Sequence, residues 1–197
     1  MFDNSGSMSG YYRESNSAFK LFAKALMKNS LKPGDNANVM LFTKSDASRK
    51  IESPKVLFSG PSANFNADGV IKDFNLMRGK DGDFGTTDLI EALDKGIASL
   101  DGNTGIIWLI TDNINDNSGS GDSSYFNTLA FYQRLRSDAN IKKIMLFPIP
   151  EKVTEAGYSS NGYVAYAIVY SKENFTQLHY EVFDKQIRDV GIKQKAI

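Results

Sequence analysis

Apolar residues recur along this chain with two alternating periods, and the alternation is the first guide to its architecture. From Tyr11 to Asn29, Phe19, Phe22, Ala23, Leu26 and Met27 return at three- and four-residue spacing. Lys20, Lys24 and Lys28 fill a separate stripe, so the segment predicts an amphipathic helix. Leu31–Asp35, containing Pro33-Gly34, predicts a turn. Asn36–Thr43 predicts a strand with Val39 and Leu41 on one face and Met40 and Phe42 on the other. After a turn over Ser45–Lys50, a second strand centres on Lys55–Phe58. Pro54 in its approach assigns that strand to a sheet edge, because proline cannot donate to an interior ladder. Asn66–Leu76 predicts a short helix and Met77–Thr86 a loop rich in glycine and aspartate. A helix over Asp88–Leu100 follows, with Asp88 and Glu91 at its positive end.

Gly105–Ile110 is apolar without alternation, as expected of a strand buried on both faces of a parallel sheet. Asn113–Ser124 predicts a polar loop, and Tyr125–Ser137 a helix carrying Phe126, Leu129, Ala130 and Leu135. Ile141–Ile149 predicts another buried strand, ended by Pro148 and Pro150. Val153–Gly162 predicts a loop, Tyr163–Tyr170 a last strand, and Lys172–Val190 a last helix. Strands alternating with helices predict an α/β class with a doubly wound, mostly parallel sheet and right-handed crossovers. No internal repeat or linker divides residues 1–197, which predicts a single domain.

Composition narrows the function classes. Lysine plus arginine and aspartate plus glutamate number 23 each, so no excess of positive charge marks the chain for nucleic acid or an anionic membrane surface. Hydrophobic content of 41% is a globular value. The absence of cysteine excludes disulfides, zinc–cysteine sites and thiol catalysis. No apolar run approaches the roughly 20 residues that span a bilayer, so direct membrane insertion is not expected.

The chemistry concentrates at Asp3-Asn4-Ser5-Gly6-Ser7. A carboxylate is followed at second and fourth spacing by hydroxyls, with Gly6 freeing the backbone between them. On a tight loop after a strand these alternate side chains point one way, and three oxygens converge. Such ligation suits a hard cation, Mg2+, Mn2+ or Ca2+. A loop of this kind is launched from a strand of about five or six residues, and Met1 and Phe2 alone precede Asp3 here, so the first strand is expected to be truncated. Two further stretches belong to the same pattern. Gly85-Thr86-Thr87-Asp88-Leu89 opens a helix, and the apolar Gly105–Ile110 run delivers Thr111-Asp112 at its end.

These three pieces, in this order, resemble the von Willebrand factor type A domain, also called the integrin I-like domain. The resemblance covers most of the chain and implies a Rossmann-like fold with a metal-ion-dependent adhesion site. Carried across by position, it implies Asp3, Ser5, Ser7, Thr87 and Asp112 as metal residues. Ser5, Ser7 and Thr87 would touch the cation or exchange with water, and Asp3 and Asp112 would act largely through waters. Thr86 is the alternative to Thr87, because the family often reads Gly-Gly-Thr. Glycine commonly follows the last aspartate, whereas this chain has Asn113, the next best residue for a left-handed backbone. The resemblance further implies a non-enzymatic, cation-dependent protein-binding module that takes a Glu or Asp carboxylate of a partner protein. It also implies work outside the cytoplasm or at a cell surface as part of a longer protein.

Two readings compete with adhesion. One is a Mg2+-dependent phosphohydrolase on a similar sheet with Asp3 as nucleophile, which wants a second aspartate where Ser5 stands. The other is a structural module with a vestigial metal site. Smaller features have plain readings. Asp112–Asn117 alternates oxygen ligands as a calcium loop does, but Asn117 and Ser123 replace the glycine and glutamate that such a loop requires. Asp83-Phe84-Gly85 lacks every companion motif of a kinase. His179, the single histidine, is distant in sequence from the serine loops and reads as a surface residue. Tyr163, Tyr166 and Tyr170 read as strand packing, and Asn174-Phe175-Thr176 is an isolated sequon.

Overall fold

A computed structural model describes residues 1–13, 17–114, 121–155 and 158–192. Among these residues the two periods of the sequence become six strands and six helices. β1 (Phe2–Asp3) leads through a 3-10 turn at Gly6–Met8 into α1 (Ser9–Tyr12). α2 (Ala18–Ser30), β2 (Asn36–Phe42), β3 (Lys55–Pro61) and α3 (Ala67–Lys72) follow. The second half consists of α4 (Leu89–Ala98), β4 (Gly105–Thr111), α5 (Gly121–Ser137), β5 (Ile141–Glu155), β6 (Tyr158–Tyr170) and α6 (Gln177–Asp189). The helix expected over Tyr11–Asn29 is thus two helices. The second starts afresh where the Ser17 hydroxyl accepts the Lys20 amide at 3.2 Å.

The strands form one mixed sheet in the order β3-β2-β1-β4-β6-β5. β1 lies parallel to β2 and β4, whereas β2·β3, β4·β6 and β5·β6 are antiparallel. The expectation of a mostly parallel sheet is therefore corrected. Its origin is the segment expected to be a loop at Val153–Gly162. Its described residues, 153–155 and 158–162, continue the two flanking strands, and β5 and β6 pair out to Glu155↔Tyr158. A direct hairpin of this kind can produce only antiparallel neighbours, and β6 then folds back between β5 and β4. Pro148 and Pro150 do not end β5. They stand two residues apart, so their missing N–H groups fall on one side, and β5 is the outermost strand. β3, the strand preceded by Pro54, forms the opposite edge.

Both faces of the sheet are covered. Val39 and Leu41 of β2 and Tyr163, Ala165, Ala167 and Val169 of β6 join Phe19, Ala23, Leu26 and Met27 of α2, with Val70 of α3 and Ile187 of α6. Met40 and Phe42 of β2 and Tyr166 and Ile168 of β6 face the other way, onto Leu89, Ala92 and Leu93 of α4 and Phe131 and Leu135 of α5. Aromatic rings centre the first layer, with Phe19 5.2 Å from Tyr163 and 5.0 Å from Tyr12. No helix among the described residues is long and apolar enough to cross a membrane.

Candidate metal centre

Asp3 ends β1 in the interior of the sheet, flanked by β2 and β4. The register Phe2↔Ile110 and Asp3↔Phe42 sets its side chain beside the end of β4, on the face that packs against α4. The residue is fully buried, and its carboxylate is held by uncharged donors. The Ser5 amide donates to Oδ1 at 3.0 Å, and the Thr111 hydroxyl to Oδ2 at 2.6 Å. The Thr87 hydroxyl stands 3.3 Å from both oxygens. Tyr12 donates its phenol to the Asp3 carbonyl at 2.7 Å, anchoring the strand end from the opposite face.

The first loop turns tightly after Asp3. The Met8 amide closes on the Ser5 carbonyl at 3.1 Å, and the Ser5 and Ser7 hydroxyls stand 3.1 Å apart. Ser5 is buried and Ser7 half-buried, so the pair opens from the interior toward the surface. The second loop is zipped onto the first through main chain. Gly6 N–H donates to the Gly85 carbonyl at 3.0 Å, and Lys44 N–H to the Thr86 carbonyl at 2.7 Å. Gly85 is required by space: a Cβ there would lie 2.8 Å from the Thr43 Cβ. Of the two threonines weighed as ligands, Thr87 is buried and meets Asp3, whereas Thr86 is half-buried. Asp88, next in sequence, caps α4 by accepting the Ile90 and Glu91 amides at 3.1 and 2.9 Å.

Asp112 directly follows the end of β4. It is half-buried and its Oδ1 accepts the Ile114 amide at 3.1 Å. Burial, and secondarily the negative charge of Asp112, pushes the Asp3 carboxyl up to about 7, against the opposing effect of the Thr111 and Ser5 bonds. Asn113 does adopt a left-handed backbone, φ 66°. A closed triangle holds it: Tyr166 donates to its Oδ1 at 2.9 Å, its amide donates to the Tyr132 phenol at 2.9 Å, and the two phenols stand 3.2 Å apart. The calcium-loop pattern beginning at Asp112 runs on into residues 115–117, which lie outside the described residues.

Thr111 is the participant that residue types alone did not single out. Its hydroxyl accepts the Asn113 amide at 3.0 Å, which commits its proton to Asp3. The signal for it was one of register, because a threonine closing a strand beside β1 comes alongside Asp3. The remaining features have structural roles. His179 Nδ1 accepts the Thr176 amide at 3.0 Å and caps α6. Asp81 pairs with Arg49, 2.6 Å from its Nε, while Arg78 stacks 4.0 Å over the Phe84 ring that underlies Gly6.

Among the described residues there is no group of three or more His, Cys, Asp or Glu side chains that could hold a metal ion. The group at Asp3 is of another kind, two carboxylates supplemented by the Ser5, Ser7 and Thr87 hydroxyls. It is all oxygen, which fits a hard dication and excludes a soft one. A buried carboxylate that meets only neutral donors is also a place where positive charge is favoured. No protein-family model, curated protein or solved structure matches the chain.

Proposed function

We propose that this chain is a divalent-cation-dependent protein-binding module of the von Willebrand A type, built on a doubly wound, Rossmann-like framework. One observation carries the reading. Side chains remote in the chain, from the end of β1 and from the loop before α4, meet at the Asp3 carboxylate, where Thr87 reaches both oxygens, and Asp112 is near enough to raise its pKa. Ser5, Ser7 and Thr87 would hold Mg2+, or Mn2+ or Ca2+ in its place, with Asp3 and Asp112 supplying the balancing negative charge. The bound cation supplies an electrophilic position that a Glu or Asp carboxylate of a partner protein completes.

The chain's own groups do the preparatory work. Thr111 and the Ser5 amide orient the Asp3 carboxylate, and the triangle on Asn113 fixes the backbone that carries Asp112. Asp3 is a poor nucleophile in this setting, because its oxygens are buried and already engaged by three donors. That weighs against the phosphohydrolase. The test is a thermal melt with Mg2+ or Mn2+ titrated into wild type and Asp112→Ala. The expected result is a cation-dependent rise in Tm that the variant loses. A wild type indifferent to millimolar cation sinks the proposal and leaves the vestigial site.

A further inference from the structure

α5 is apolar on two faces, and the core uses one of them. Phe131 and Leu135 are buried, with the Phe131 ring 5.7 Å from that of Tyr166 in β6. Tyr125, Phe126, Leu129 and Tyr132 are exposed instead, the first two by 66% and 64%. The Tyr125 and Phe126 rings stand 5.7 Å apart. Exposed apolar side chains scattered singly need no explanation, but these are gathered. Among the described residues ten large apolar side chains are exposed, and five of them are these four and Ile114. No charged side chain interrupts residues 125–133.

The exposed face adjoins the candidate metal centre. α5 leads from the end of β4 back to Ile141, which enters the sheet opposite Tyr170, itself opposite Gly105 at the start of β4. The helix therefore runs antiparallel to β4, and its first turns lie at the end of the sheet that carries Asp3 and Asp112. Tyr132 fixes the height, because its phenol accepts the side-chain amide of Asn113 at 2.9 Å, one residue past Asp112. At 1.5 Å of rise per residue, Tyr125 lies about 10 Å further along the helix toward that end. No described side chain over residues 125–130 is buried, as expected where the sheet beneath has ended at Thr111↔Val164.

We infer that the partner protein whose carboxylate completes the cation also lays a large apolar side chain against Tyr125, Phe126 and Leu129. The inference rests on the cation reading and supplies the second half of the motif that the module recognises. Position selects the occupant, since whatever presents a carboxylate beside Asp112 lies at the end of the sheet where this face stands. Chemistry selects it too. An aromatic, uncharged surface gains from apolar contact and gives an acidic side chain no ion pair, so charge is read at the cation and bulk at the helix. An extended segment advances about 3.3 Å per residue, which sets the apolar residue about three to five positions from the acidic one.

The probe is a phage-displayed library of thirteen-residue peptides with glutamate fixed at the centre and every other position random. It is selected on the intact chain in Mg2+ and eluted with a chelator. Phe, Trp, Leu or Tyr is expected to be enriched three to five positions from the glutamate. Synthetic copies are expected to bind the double variant Tyr125→Ser, Phe126→Ser roughly tenfold more weakly than wild type. Both proteins are expected to show the same cation-dependent rise in Tm. Flanking positions that stay random, or equal affinity for the double variant, overturn the inference and leave the cation reading standing. An empty selection on a wild type whose Tm does respond to Mg2+ has the same consequence. A wild-type Tm indifferent to Mg2+ overturns the cation reading and this inference with it. A wild type that sediments as a dimer, beside a monomeric double variant, assigns the face to a second copy of this chain and overturns the choice of occupant.

Discussion

A carboxylate fully withdrawn from water and bonded only to neutral groups retains its proton well into the neutral range, and Asp3 is in that position. The sign of the linkage follows. The folded-state pKa is raised above the unfolded value, so the native state holds this proton more tightly than the unfolded chain does. Stability of the cation-free protein therefore falls as pH rises from about 4 toward about 7. The loss is on the order of a few kcal/mol, spread over that window. Asp3→Asn removes the titration, and its Tm is expected to gain on wild type steadily between pH 4.5 and 7.5 without cation. Parallel Tm curves for the two proteins would contradict this. Asp3, Ser5 and Asp112 of the candidate centre stood out in the sequence as oxygen-bearing side chains, Asp112 at the end of an apolar run. Thr111 was not, because its part depends on a strand pairing that residue types do not announce.

Among the elements, α4 is the one whose entry the centre depends on. Asp88 holds the Ile90 and Glu91 amides and follows directly on Thr87, so the cap and the candidate ligand share one backbone. Asp88→Ala is expected to cost about 1 kcal/mol of stability, read as a lower denaturant midpoint at unchanged slope. If the cation reading holds, it also weakens the cation-dependent rise in Tm. A midpoint equal to wild type would show that the cap contributes nothing. Most element positions followed from periodicity, as Asn36–Phe42 and Gly105–Thr111 illustrate. The exceptions have local causes. Ser17 restarts a helix that the spacing of Phe19 and Phe22 alone would extend back to Tyr11. Pro148 and Pro150 signal the end of an interior strand but not of an edge strand, and no periodicity says which kind β5 is.

For the molecule as a whole, the sheet divides into unequal halves. β6 lies between β4 and β5, with partners along the seven residues of β4 on one side and out to Tyr158 on the other. β3 has a single neighbour and a mostly exposed face. Native-state hydrogen exchange is expected to be slowest at the amides shared by β4 and β6 and fastest within the sheet along β3. Comparable protection in β3 and β6 would refute that ordering. The strand order itself lay beyond sequence reasoning, since inserting β6 beside β4 is decided by long-range pairing of Ala165–Val169 with Ile106–Ile110.

The two prolines of β5 extend past their own strand. Around Pro148 and Pro150 the strand lacks two of the donors that a ladder from another molecule would need. Edge-to-edge pairing at that stretch is thereby disfavoured, and the rim of the sheet is blunted there without a helix or loop to cover it.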